Sequence, residues 1–144
     1  SPAWASTAVE DYLTRFPRDW KVELKTVKEE PRHGQSKSDL MAAEADRIRK
    51  AIPKGSLLVT LDERGKDLTT VNFAKKLSAW QDSGESVAFV IGGTDGIDPE
   101  LKKESRMMIR LSSMTLPHAL ARVILSEQIY RAWSILNNHP YHRA

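Results

Sequence analysis

The chain has 144 residues, 40% of them hydrophobic and 28% charged, which describes one ordinary globular domain able to bury a core without a disulfide or metal staple. With no cysteine it has no disulfide framework, thiolate metal site or cysteine nucleophile, and it suits a reducing, cytosolic setting; no apolar run is long enough to span a bilayer, and Ser1-Pro2-Ala3-Trp4 is not a signal-peptide start. The net charge of +3 is unevenly spread: residues 1–101 carry 15 Lys and Arg against 17 Asp and Glu, and residues 102–144 carry 7 against 2 together with three of the four histidines, so a polyanion would meet the C-terminal end.

Trp4, Ala8, Val9, Tyr12, Leu13 and Phe16 recur at spacings of three and four until Pro17, which predicts a helix over about 3–16. Residues 20–27 alternate with period two, placing Val22, Leu24 and Thr26 on one face of a half-buried strand. Residues 28–38 have the composition of a mobile loop, and Ser38 is expected to cap a helix running to about Ala51. Ser56 to Leu61 is a continuous apolar run of the kind parallel strands show when both faces are covered, and Asp62-Glu63-Arg64-Gly65 is expected to break it. An amphipathic helix follows from Leu68 to Trp80 and ends at Gly84. A second buried strand spans 86–91, and Asp98-Pro99 opens a short helix. Met107 to Leu111 is a third strand, a polar-apolar loop runs to His118, a long helix covers about 119–135, and a tail closes the chain. Strands and helices alternate from residue 56, so the fold class is α/β with a mostly parallel sheet flanked by helices.

Three features carry candidate chemistry. Gly92-Gly93-Thr94-Asp95-Gly96 lies between a buried strand and a helix, at the edge where open α/β sheets bind ligands. It matches neither the dinucleotide fingerprint nor a Walker A loop, and a plain tight turn is the alternative use of its glycines. Leu111-Ser112-Ser113-Met114-Thr115-Leu116-Pro117-His118 is unusually apolar for a loop, suited either to packing or to holding a flat apolar moiety such as adenine. His139-Pro140-Tyr141-His142-Arg143 supplies imidazoles for acid/base work and a guanidinium for phosphate. His118, His139 and His142 lack metal-ligand spacing, so no metal is expected, and the Asp62-Glu63 pair reads as a solvated loop.

These residues resemble a known family. Val90-Ile91-Gly92-Gly93-x-x-Gly96, Leu111-Ser112-x-Met114-Thr115-Leu116-Pro117-His118, Leu125-x-Glu127-Gln128-Ile129-Tyr130-Arg131-Ala132-Trp133 and Asn138 to Arg143 are similar to the RlmH family of SPOUT-class methyltransferases. Tyr12-Leu13-x-Arg15-Phe16-Pro17 and Leu61-Asp62-x-x-Gly65 extend the likeness over the whole chain. The resemblance implies one SPOUT domain over 1–144, with its C-terminal segment threaded into a trefoil knot, a rare exception to unknotted topology. It implies a cytoplasmic homodimer that uses S-adenosyl-L-methionine, without a metal, to methylate N3 of a pseudouridine in 23S ribosomal RNA. The family begins with a strand of the Lys-x-x-x-x-x-Val-Gly type, and this chain starts at a position matching just beyond it, so one sheet strand is expected to be missing.

By resemblance, Leu61, Gly92, Leu111, Ser112, Ser113, Met114, Thr115 and Leu116 form the methyl-donor site, with Gly93 and Gly96 shaping it. His118, Tyr141, His142 and Arg143 line the reaction centre, the tail coming from across the dimer. In this reading His118 or His142 assists proton removal from the ring, Arg143 holds RNA phosphate, and transfer is an in-line displacement governed by positioning. A SPOUT enzyme acting on another RNA such as transfer RNA, and a non-catalytic ribosome-binding module, are the rival readings.

Overall fold

A computed structural model describes residues 2–20, 22–24, 34–92 and 96–143. Its elements are α1 (Ala3–Leu13), β1 (Val22–Leu24), α2 (Lys37–Ala51), β2 (Leu57–Asp67), α3 (Thr70–Asp82), β3 (Val87–Ile91), α4 (Pro99–Glu104), β4 (Met107–Arg110) and α5 (His118–Leu136). The four strands form one sheet in the order β1-β3-β2-β4, and every ladder is parallel. The α/β reading of the sequence therefore holds.

Helix ends follow local chemistry. Ser36, not Ser38, caps α2: its hydroxyl accepts from the Asp39 amide at 3.1 Å. Thr69 caps α3 in the same way through Asn72 at 3.1 Å, and α3 runs on to Asp82 before Gly84, in the left-handed region at φ 73°, turns the chain. Asp98 accepts from the Glu100 and Leu101 amides at 3.1 and 3.2 Å, with Pro99 in the first helical turn, as the sequence indicates. α1 stops at Leu13, short of Phe16, because Thr14 bonds back to the Asp11 carbonyl and the Arg15 amide to Tyr12. Phe16 still packs against the core and stacks on Trp20 at 6.0 Å, so its helical spacing reflects burial rather than helix. Residues 25–27 of the expected strand and 28–33 of the expected loop lie outside the described residues.

The core has two layers, one on each face of the sheet. Leu57, Val59, Leu61, Val87, Phe89 and Ile109 meet Phe73, Leu77 and Trp80 of α3 and Leu125, Ile129 and Ala132 of α5. The alternate strand residues Leu58 and Val90 meet Ala45 and Ile48 of α2 and Leu101 of α4. This period-two division explains why the strands read as unbroken apolar runs. α1 lies on α5, which is buried along most of its length.

The main departure from the sequence reading is in β2. Asp62-Glu63-Arg64-Gly65 does not end it: Leu61 and Lys66 both oppose Ile109, and Asp67 then pairs with Arg110, so residues 62–65 bulge from a ladder that resumes. Gly65 makes this geometry accessible, since a Cβ there would sit 2.5 Å from the Ile109 carbonyl carbon. The packing predicts a contrast on α5. Leu125→Ala, at a fully buried position, should lower the unfolding free energy by about 2–5 kcal/mol in urea titration, whereas Leu120→Ala, on a residue 36% exposed, should cost about 1 kcal/mol or less.

Candidate functional site at the carboxyl edge of the sheet

Because the strands are parallel, the bulge of β2 and the segments leaving β3 and β4 lie at one edge, where they line a cavity of about 710 Å³. Of the residues singled out in the sequence, Leu61, Gly92, Gly96, Leu111, Ser112, Met114, Thr115, Leu116 and His118 line it. Gly93 lies outside the described residues, and Ser113 is exposed and does not line the cavity. The glycines are used sterically: a Cβ on Gly92 would meet Ile97 Cγ1 at 2.6 Å, and Gly96 holds φ at 89°. The Ser112 hydroxyl accepts from the Met114 amide at 2.9 Å, a local turn that leaves Met114 76% exposed. His118 is the first residue of α5, one position earlier than the sequence indicates.

The sequence reading also misses part of the wall. Asp62 was expected to be solvated, but its side chain is only 12% exposed and pairs with Lys102 Nζ at 2.8 Å, while its other oxygen accepts from the Arg64 amide at 2.8 Å. Burial pushes the Asp62 carboxyl up, but the Lys102 bond and the Arg64 amide outweigh it and hold the group below the usual carboxylate range. Met41 of α2, Arg64 and Arg110 line the cavity as well. A signal for Asp62 existed in its position directly after the buried apolar run 57–61; Lys102, 40 residues on, had none.

Tyr141, His142 and Arg143 do not line this cavity. α5 ends in a Schellman-type turn: Asn138 takes φ 54°, and the His139 amide reaches the Ser134 carbonyl at 2.8 Å, sending the tail back along its own helix. The Tyr141 ring meets Tyr130 edge-on at 4.7 Å, the Arg131 guanidinium lies 4.9 Å from its centroid, and its hydroxyl is 3.5 Å from that of Tyr12. Burial pushes the Tyr141 phenol up to about 12, aided by Tyr12, so it remains a protonated donor at physiological pH. Arg131, bound to Glu127 at 2.7 Å, also contacts His142 Nδ1 at 3.2 Å. A guanidinium only donates, so in this contact Nδ1 is the acceptor and the ring N–H lies on Nε2. Thirteen helical positions separate His118 from Arg131, roughly 20 Å of helix at 1.5 Å per residue, so one chain does not join its cavity to its tail. The same separation keeps His118 apart from His139 and His142, and no cluster of three metal-ligating side chains occurs among the described residues.

Residues 1–142 match the family described as "Predicted SPOUT methyltransferase". Relatives from Burkholderia ambifaria, Bordetella avium and Burkholderia thailandensis, each named ribosomal RNA large subunit methyltransferase H, are 53%, 54% and 53% identical to the chain, over 99% of its length and 92% of theirs. A parallel sheet with a glycine-shaped cavity at its carboxyl edge and a match across nearly the whole chain lead to one assignment: the chain belongs to the SPOUT methyltransferase family.

Proposed function

We propose that this protein transfers a methyl group from S-adenosylmethionine to N3 of a pseudouridine in 23S ribosomal RNA, acting in the cytoplasm as a homodimer on the assembled ribosome. The observation that carries the reading is the carboxyl-edge cavity. Its volume of about 710 Å³ suits a ligand of the donor's size, and Leu61, Ile91, Leu111 and Leu116 offer apolar walls beside the polar Ser112 and Thr115. The names of the relatives supply the substrate class, large-subunit ribosomal RNA.

In this reading Leu61, Gly92, Leu111 and Leu116 hold the adenosine portion, Gly93 and Gly96 shape the turn beside it, and Ser112, Ser113, Met114 and Thr115 complete the loop, which belongs to a trefoil-knotted segment. When bound, the donor supplies an electrophilic methyl on a sulfonium. The chain's own residues orient the acceptor ring and relieve it of a proton. His118, at the cavity, is the proton acceptor. His142 presents an N–H at Nε2 while Arg131 donates to Nδ1, and Tyr141 stays a phenol, so both serve as hydrogen-bond donors. Arg143 holds phosphate. Since the tail stands about 20 Å from the cavity of its own chain, a second copy supplies it. The Asp62–Lys102 pair ties the bulge of β2 to α4 and fixes the cavity wall.

Three outcomes follow. Calorimetric titration should give saturable binding of S-adenosylmethionine, and label from the donor should enter ribosomal RNA in intact ribosomes rather than transfer RNA; labelling of transfer RNA alone, or tight RNA binding without donor binding, overturns the reading. His118→Ala should lower kcat by about 10²–10⁴-fold, the usual share of a positioned acid/base group, and full transfer by both His118→Ala and His142→Ala would remove histidine from the proton step. Asp62→Asn should cost about 1–3 kcal/mol near neutrality. Because the folded-state value of Asp62 is lowered, its contribution is present above the usual carboxylate value and fades in acid, so chemical denaturation should show wild type and Asp62→Asn converging as pH falls below about 4.

A further inference from the structure

Residues 62–67 form a braced lip on the cavity. At one end Asp62 is tied to Lys102 of α4 at 2.8 Å, and at the other Asp67 is tied to Arg110 of β4 at 3.2 Å. Between them Gly65 lies so close to the Ile109 backbone that even a methyl group has no room, and the ladder resumes directly after it. A bulge next to a site re-aims side chains, and this one is held at three points. It presents Arg64, which lines the cavity, and Lys66, both exposed and neither in an ion pair among the described residues. Asp62 and Asp67, at the two ends of the bulge, are engaged by Lys102 and Arg110, and the third acid, Glu63, is exposed beside Arg64, so the lip together with its two bracing cations carries four basic side chains against three acidic ones.

We infer that this lip is an RNA-docking element: Arg64 and Lys66 bind the phosphates flanking the nucleotide that enters the cavity. The inference rests on the proposed methyl transfer to RNA and adds the surface that delivers the substrate. Phosphate contacts set register and orientation without reading sequence, which suits a rigid element beside the reacting position. A guanidinium can grip phosphate in bidentate fashion, and Lys66 adds a point charge two residues on. Exposed Met114 lines the same cavity, so an incoming nucleotide meets the Arg64 guanidinium and an apolar side chain there.

The test compares wild type, Arg64→Gln/Lys66→Gln, and a charge-matched control, Lys50→Gln/Lys54→Gln. The control cations are exposed and precede β2, at the opposite edge of the sheet. Binding to a large-subunit RNA fragment is measured across a KCl series, and RNA KM and donor affinity are measured separately, after cooperative unfolding shows each variant folded. The lip variant should raise the RNA KM about tenfold and flatten the slope of log affinity against log salt by about one to two, while the control does neither. Arg64→Lys/Lys66→Arg should restore most of the slope, since charge at the lip is the requirement. Wild-type RNA KM and salt slope in the glutamine variant, from an enzyme that does methylate RNA, overturn the inference. If wild type neither binds the donor nor transfers methyl, it is the proposed function that fails, and the salt slopes alone still decide whether the lip docks RNA.

Discussion

The constraint on which the structure depends is that a sheet of parallel strands must be covered on both faces. Each return from one parallel strand to the next needs a crossover, and the helices that make the crossovers supply the cover. Here the odd-numbered residues of β2 and β3 pack on α3 and α5, and Leu58 and Val90 pack on α2 and α4. Val59 and Phe89 are wholly buried, as are Leu125 and Ile129 against them. With both faces occupied, chemistry is confined to the sheet edges. Parallelism then gathers the bulge of β2 and the ends of β3 and β4 at one of them, which is where the cavity lies.

That constraint also accounts for what was legible in the sequence. Burial on both faces erases alternation, so 57–61 and 87–91 read correctly as parallel strands, and the Asp98-Pro99 pair marked α4 because a cap and a helix-start proline are local signals. The cavity-lining loops were legible from glycine spacing, from an apolar loop before a helix and from the family likeness. The continuation of β2 was not. Its polar residues are those of a turn, and what keeps them in the ladder is the tight approach of Gly65 to Ile109, 44 positions away. The Asp62–Lys102 pair escaped for the same reason: neither residue carries a local mark of the other. Phe16 misled in the opposite direction, since it sits at helical spacing yet is buried from a turn beyond the end of α1.

The tail shows a different limit. Its residue types were recognisable as acid/base and phosphate-binding groups, but their chemical states depend on the helix they fold against. Asn138, in the left-handed region, turns the chain back. Tyr141 is then enclosed by Tyr130, Tyr12 and Arg131, which keeps it protonated, and Arg131 fixes which nitrogen of His142 carries hydrogen. The packing thus places two of the three tail candidates as donors, and His118 stands at the other end of α5.

This division bears on assembly. One chain places His118 on the cavity wall and, about 20 Å away along α5, the tail donors, which do not line that cavity. The tail packs on α5 through His139 and Tyr141 against Tyr130 and Trp133 and reaches Tyr12 of α1, contacts that would be lost if it swung to its own cavity, so bringing the halves together within one chain costs that packing. In the proposed homodimer none of it would be lost, because each tail would keep its place on its own helix and meet the other chain's cavity. For the proposed reaction, two copies are therefore the arrangement that completes the site without undoing the fold.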